Sequence, residues 1–148
     1  MFTIKNNIII ILQFIILSIL FSCNNVESYK SGAVQIKYTG VEEGEYGSVA
    51  SFLLVNDSTE TVEFWAYGEE FPHYSTEVLT DTGWIYLMWN WCGTGTSPVE
   101  FKPGDKMKFT TSLPNYNCTW RVLLGVSVVD SENYYTVKSN EIIYSIPE

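Results

Sequence analysis

The sequence predicts an all-β fold, a single antiparallel β-sandwich preceded by an N-terminal signal segment. Three observations predict it: apolar residues alternate with period two from Ala33 onward, turn-forming clusters recur at short spacing, and no segment combines helical spacing with capping residues. With 148 residues the chain supports one ordinary hydrophobic core, hence one domain over 33–148.

The elements follow in order. Val34, Ile36 and Tyr38 alternate with Gln35 and Lys37, a strand with one apolar face. Glu42, Glu43 and Glu45 sit among glycines and are expected in a solvated acidic turn. Ser48 to Val55 is nearly continuous in apolar residues, as a central strand covered on both faces requires, and ends at Asn56-Asp57-Ser58, whose side chains bond their own backbone in turns. Thr61 to Tyr67 places Val62, Phe64 and Ala66 on one face and Glu63, Trp65 and Tyr67 on the other. A loop over Glu69-Glu70-Phe71-Pro72-His73 precedes a hairpin, Glu77 to Thr80 and Trp84 to Trp89, turning through the three residues Asp81-Thr82-Gly83.

Cys92 to Pro98 reads as a loop. Lys102-Pro103-Gly104-Asp105 puts Pro and Gly at the central positions of a type II turn, followed by a strand over Lys106 to Ser112. Two long strands, Trp120 to Val129 and Tyr135 to Ile146, join through Asp130-Ser131-Glu132-Asn133, with a bulge expected at Ser139-Asn140. Seven to nine strands without a blade-like repeat favour two packed sheets over a barrel or solenoid.

Composition bounds the function. The chain is 46% hydrophobic and 16% aromatic with a formal charge of −9, which suits a packed globular domain. Its one arginine, Arg121, and scattered lysines form no basic stripe, so a nucleic-acid partner is not expected: the field repels phosphate. A single histidine, His73, excludes metal sites built on two or more imidazoles, and no loop carries acids at the alternating positions calcium needs, so neither metal nor cofactor is expected.

Lys5 followed by the apolar run Ile8 to Phe21 has the charge order and length of a signal-peptide h-region, and it is short for a permanent membrane span. Leu20-Phe21-Ser22-Cys23 resembles a bacterial lipobox, with Phe21 bulkier than the usual occupant. The resemblance implies removal of 1–22, acylation of Cys23, a polar tether over 23–32 and a membrane contact through the N-terminal lipid, at the bacterial cell envelope and facing the periplasm. An uncleaved anchor and a plain secretory signal are the other two readings. If lipidation uses Cys23, the cysteines left are Cys92 and Cys118, an expected disulfide worth about 3 kcal/mol in an oxidising compartment; separate buried thiols are the alternative.

The strand order across the mature chain resembles an immunoglobulin-like or fibronectin-III-like domain, in which a Pro-Gly turn often precedes the strand that Lys106 to Ser112 forms here. Cys92 falls in a loop, so its bridge to Cys118 departs from the inter-sheet staple of antibody domains. Trp91-Cys92-Gly93-Thr94-Gly95 followed by Phe101-Lys102-Pro103-Gly104 is similar to a pattern in exported bacterial proteins of uncharacterised function, and the architectural likeness implies no activity.

Catalytic constellations are weak. His73 in a Pro-Tyr loop reads as an ordinary loop histidine, and Trp-Cys-Gly at Cys92 does not match a papain-type nucleophile. Glu69 and Glu70, if extended, point to opposite faces and make a poor acid-base pair. No enzyme is therefore expected. Aromatic density is the distinctive feature: Trp65, Tyr67, Trp84, Tyr86, Trp89 and Trp91 fall close together. Most are expected in the core. If the Trp84 and Tyr86 face looks outward, then Trp65, Trp84, Tyr86 and Trp91 are the candidates for stacking sugar rings or docking an envelope protein. The leading expectation is a non-catalytic interaction or structural module, with a carbohydrate-binding module second and an enzyme last.

Overall fold

The computed structural model describes residues 33–68, 71–87 and 94–147. Eleven strands lie among them and no helix: β1 (Val34–Gly44), β2 (Gly47–Asn56), β3 (Val62–Tyr67), β4 (Phe71–Pro72), β5 (Tyr74–Thr80), β6 (Gly83–Leu87), β7 (Ser97–Phe101), β8 (Lys106–Ser112), β9 (Cys118–Val128), β10 (Tyr134–Lys138) and β11 (Ile142–Tyr144). They form two antiparallel sheets packed as a sandwich, as expected from the alternation. The smaller sheet has the order β1-β2-β8; the larger runs β4-β3-β9-β5-β6, with β7 on β3 and with β10 and β11 on β9.

β2 is the central strand its apolar run predicted, and Ala50, Phe52 and Leu54 project from it into the core. Phe52 lies at the centre of a ring cluster, with centroids 5.5 Å from Tyr38, 5.4 Å from Phe109 and 5.9 Å from Trp120. The acidic turn is shorter than expected. Glu42 and Glu43 belong to β1, opposite Val49 and Ser48, and Glu42 accepts a 2.5 Å ion pair from Lys108 of β8.

β9 is the spine of the larger sheet. One edge pairs with β5 from Val78↔Trp120 to Tyr74↔Leu124 and then with β3 at Val62↔Val128; the other pairs with β11 and β10. The bulge expected at Ser139-Asn140 is a full break between β10 and β11. Ser139 bridges it: its N–H donates to the Val122 carbonyl and its hydroxyl accepts from the Val122 N–H, so no backbone group of Val122 is orphaned in the core. The same corner joins the sheets, through an Ile36–Ser139 bridge and a hydrogen bond from the Tyr38 N–H to Asn140 Oδ1.

Two elements were not anticipated. β4 is only two residues long, and β7 carries Pro98, so neither has the composition of an interior strand. The β5–β6 hairpin is also tighter than expected, because Thr80 pairs with Gly83 and only Asp81 and Thr82 form the loop. The Pro103-Gly104 turn forms as its sequence demands: Gly104 sits at φ +86°, and the Asp105 N–H closes the turn on the Lys102 carbonyl at 3.0 Å.

Tyr74 opens β5 on the core side, its ring centroid 6.1 Å from Phe109. Burial pushes its phenol up to about 12, against a smaller lowering from a backbone hydrogen bond with Ser112. Unfolded chains ionise tyrosine near ~10, so this residue's contribution to stability is complete below that pH and is lost as pH rises from 10 toward 12. Absorbance titration should show a tyrosine that ionises near 12 in step with unfolding; a full tyrosine count titrating near 10 in a still-folded protein would contradict this.

Candidate functional site

The register of three adjacent strands decides which face of the larger sheet looks outward. Pairing of Val78 with both Ile85 and Trp120 puts these residues on one side, and pairing of Glu77 with Tyr86 and Arg121, and of Leu79 with Trp84, puts the rest on the other. Trp120 is only 1% exposed and packs against Phe52, so its side is the core side. Trp84 and Tyr86 are therefore on the outer face. The expectation that most of the clustered aromatics are core holds for none of Trp65, Trp84 and Tyr86, while Trp89 and Trp91 lie outside the described residues; the buried tryptophan among the described residues is Trp120.

Arg121 organises this face. Its guanidinium carbon lies 3.8 Å from the centroid of the Trp84 ring, and its Nε and Nη2 reach Glu77 Oε2 at 2.7 and 2.6 Å. Lys138 approaches the same carboxylate oxygen at 3.7 Å. Both Arg121 and Glu77 side chains are largely buried, beneath a sheet surface from which Tyr86 emerges 55% exposed. The result is a rigid polar clamp beside an aromatic edge. Arg121 and Glu77 were not among the sequence candidates. Their signal was present: in the run Trp120 to Val129, Arg121 is the charged residue that alternation turns away from the core.

A planar guanidinium is needed to stack on an indole and hold a carboxylate at once, whereas an ammonium offers a point charge on a flexible stem. Arg121→Lys is expected to cost about 1–2 kcal/mol and to shift the emission of Trp84. Thermal unfolding and tryptophan fluorescence check this; an unchanged Tm and spectrum would contradict it.

The other candidates are dispersed. Trp65 lies on the outer face of β3 at 56% exposure, opposite Pro98, away from the Trp84 clamp. Phe71 is exposed beside its partner Tyr67. Tyr134 crosses Gly125, where a Cβ would collide with its phenol oxygen, so the absent side chain lets the ring lie on the sheet. Trp91, Cys92 and Cys23, the residue at which lipidation is expected, lie outside the described residues.

Cys118 carries a free, half-buried thiol in this structure, packed against the core cluster. Burial pushes that thiol up, away from the thiolate that a nucleophile requires. The bridge expected with Cys92 is thus not seen here. Of the residues considered for catalysis, Glu69, Glu70 and Cys92 lie outside the described residues, and His73 lines a cleft of about 390 Å³ between the sheets, edge-on to Tyr67 with centroids 6.3 Å apart. A second cleft of about 350 Å³, under Leu87 and Trp120, is closed on one side by Leu113 and Tyr116. Among the described residues no three His, Cys, Asp or Glu side chains stand close enough to hold a metal.

Compared with known families and with curated proteins, the chain matches no family model and no protein.

Proposed function

We propose that this chain is a non-catalytic interaction module of a bacterial cell envelope, with an immunoglobulin-like sandwich held to the membrane by a lipid on Cys23 and facing the periplasm. The observation that carries the binding role is the outward placement of Trp84 and Tyr86 around the Arg121–Glu77 clamp. A small sandwich gains by burying large aromatics, as it does with Trp120, Phe52 and Phe64, whereas Trp84 is half-buried and Tyr86 exposed on the outer face of the larger sheet. Rigid aromatic rings beside an arginine are the side chains on which protein interfaces concentrate their energy. Oxidation of Cys118 with Cys92 belongs to the same reading, supported by the export signal in the sequence.

The test places a photo-crosslinking residue at position 86 of the full chain in its native envelope, with a second at position 106 of β8 as comparison. A discrete adduct with an envelope protein from position 86, absent from position 106 and weakened at least fivefold by Trp84→Ala, is the expected result. No adduct, or equal adducts from both positions, removes the reading.

Carbohydrate binding is the second reading, favoured by the exposed ring of Trp65 on the same outer face. It predicts saturable binding to a polysaccharide that Trp65→Ala weakens at least tenfold in a folded protein.

A further inference from the structure

Among the described residues seven strands end a sheet or a part of one, and six of them are protected against pairing with another chain. β4 is two residues long, β7 carries Pro98, and β8 carries Lys106 and Lys108. β1 is interrupted by the register shift at Gly40 and tied to Ser139, and the edge formed by β10 and β11 is broken at Ser139-Asn140 beside Lys138. Short length, proline, lysine and bulges are the devices that keep sheet edges from adding strands. β6 has none of them. Its residues are Gly83-Trp84-Ile85-Tyr86-Leu87, without charge, proline or bulge, and among the described residues the strand pairs only with β5.

Both faces of β6 are apolar and partly exposed. Tyr86 is exposed on the outer side; Ile85 at 48% and Leu87 at 41% lie on the inner side, Leu87 at the cleft it shares with Leu113 and Tyr116. An added strand would therefore gain hydrogen bonds along the edge and apolar contacts on both faces. The strand also complements itself. In an antiparallel pair centred on Ile85, Ile85 of each copy meets Ile85 of the other, Trp84 meets Tyr86, and Tyr86 meets Trp84. Aromatic pairs across strands stabilise a sheet, and a two-fold axis satisfies both copies at once.

We propose that β6 is a self-association edge, on which a second copy of this chain adds its own β6 antiparallel and joins the two larger sheets into one. The occupant is a second copy because the strand has no charge to select a charged partner, while its own sequence opposes Ile85 to Ile85 and Trp84 to Tyr86. The joined sheet sets two Trp84–Tyr86 pairs side by side on one outer surface. Five paired residues a side fall short of the ~1,000 Å² of buried surface that marks a stable soluble dimer. The pairing is therefore weak in dilute solution and strong where copies share a membrane, which raises their effective concentration to about the millimolar range. That last point rests on the lipid anchor proposed above; the edge pairing does not.

The test uses the full chain expressed in a bacterial envelope, with Cys92→Ser and Cys118→Ser as parent, and adds Ile85→Cys or, as comparison, Lys108→Cys on β8. Residues opposed across two strands have Cα atoms within disulfide reach, so mild oxidation should yield a disulfide-linked dimer from Ile85→Cys. The expected yield is at least fivefold above both the parent and Lys108→Cys, falling at least threefold when Tyr86→Lys is added. A yield no greater than that of the parent or of Lys108→Cys overturns the proposal. So does a mixed adduct between Ile85→Cys and a different protein, which would make β6 a site for a partner strand. Fractionation of the same cells reads the anchor separately: a chain outside the membrane overturns the anchor, and the dimer is then measured on the concentrated soluble fraction with the same two outcomes.

Discussion

Phe52→Ala is expected to destabilise the domain by about 3–5 kcal/mol, the range for removing a buried aromatic from a core that cannot collapse around the gap. Phe52 is fully buried in the centre of the smaller sheet and touches three rings from three other strands: Tyr38 on β1, Phe109 on β8 and Trp120 on β9. Those strands are fixed by hydrogen bonds on both sheets, so their rings cannot close the space the missing ring leaves. The Phe52–Trp120 contact also crosses between the sheets, so its loss weakens the packing of one on the other. Urea unfolding followed by tryptophan fluorescence checks this, with a midpoint lower by roughly 2 M at ordinary slopes. A change under 1 kcal/mol would show that the rings repack.

The second large effect is expected at Asn56, a fully buried polar residue at the end of β2. Its Nδ2 donates to the Phe101 carbonyl at 2.8 Å and to the Glu60 carbonyl at 3.0 Å, and its Oδ1 accepts from the Ser58 N–H at 3.0 Å and from the Ser58 hydroxyl at 2.6 Å. Its backbone bonds to Gly104 and Asp105 across the Pro103-Gly104 turn. One side chain thus ties the turn after β2 to the end of β7, next to the turn that leads into β8. Asn56→Ala leaves two carbonyls and two donors without that partner, and a loss of about 2–4 kcal/mol is expected.

Asn56→Asp discriminates further. It keeps an acceptor for Ser58 but aims an oxygen at two carbonyls, and at neutral pH it buries a charge. Its folded-state pKa is therefore raised above the unfolded ~3.9, so the variant is most stable below that pH and loses stability as pH rises. Asn56→Asp should be less stable than Asn56→Ala at pH 7 and should close the gap in acid. The same ranking at both pH values would mean that the carboxyl escapes to water.

Local patterning made several elements legible from residues alone. Val62, Phe64 and Ala66 are buried where alternation placed them, β8 spans Lys106–Ser112 as read, and the Pro103-Gly104 turn follows from two residues with restricted or permissive φ. β4 and β7 were not legible, because a two-residue bridge and a proline-bearing edge strand exist only through pairing with β3, an interaction between distant segments. The break between β10 and β11 was half legible. Ser139-Asn140 signals an irregularity, while the use of Ser139 to satisfy Val122 depends on β9 lying alongside.

The candidate site divides the same way. Period two by itself determined that Trp84 and Tyr86 share a face and that Trp65 shares one with Glu63, because successive side chains on a strand point to opposite sides. Only the tertiary structure decided that the Trp84 face is the outer one, that Arg121 covers the indole and holds Glu77, and that β6 ends a sheet among the described residues. The physical reason is that alternation is a local property of the backbone, blind to which side meets the opposing sheet. That choice is made by burial, which rewards the face carrying Trp120 and Val78 and leaves the other to water.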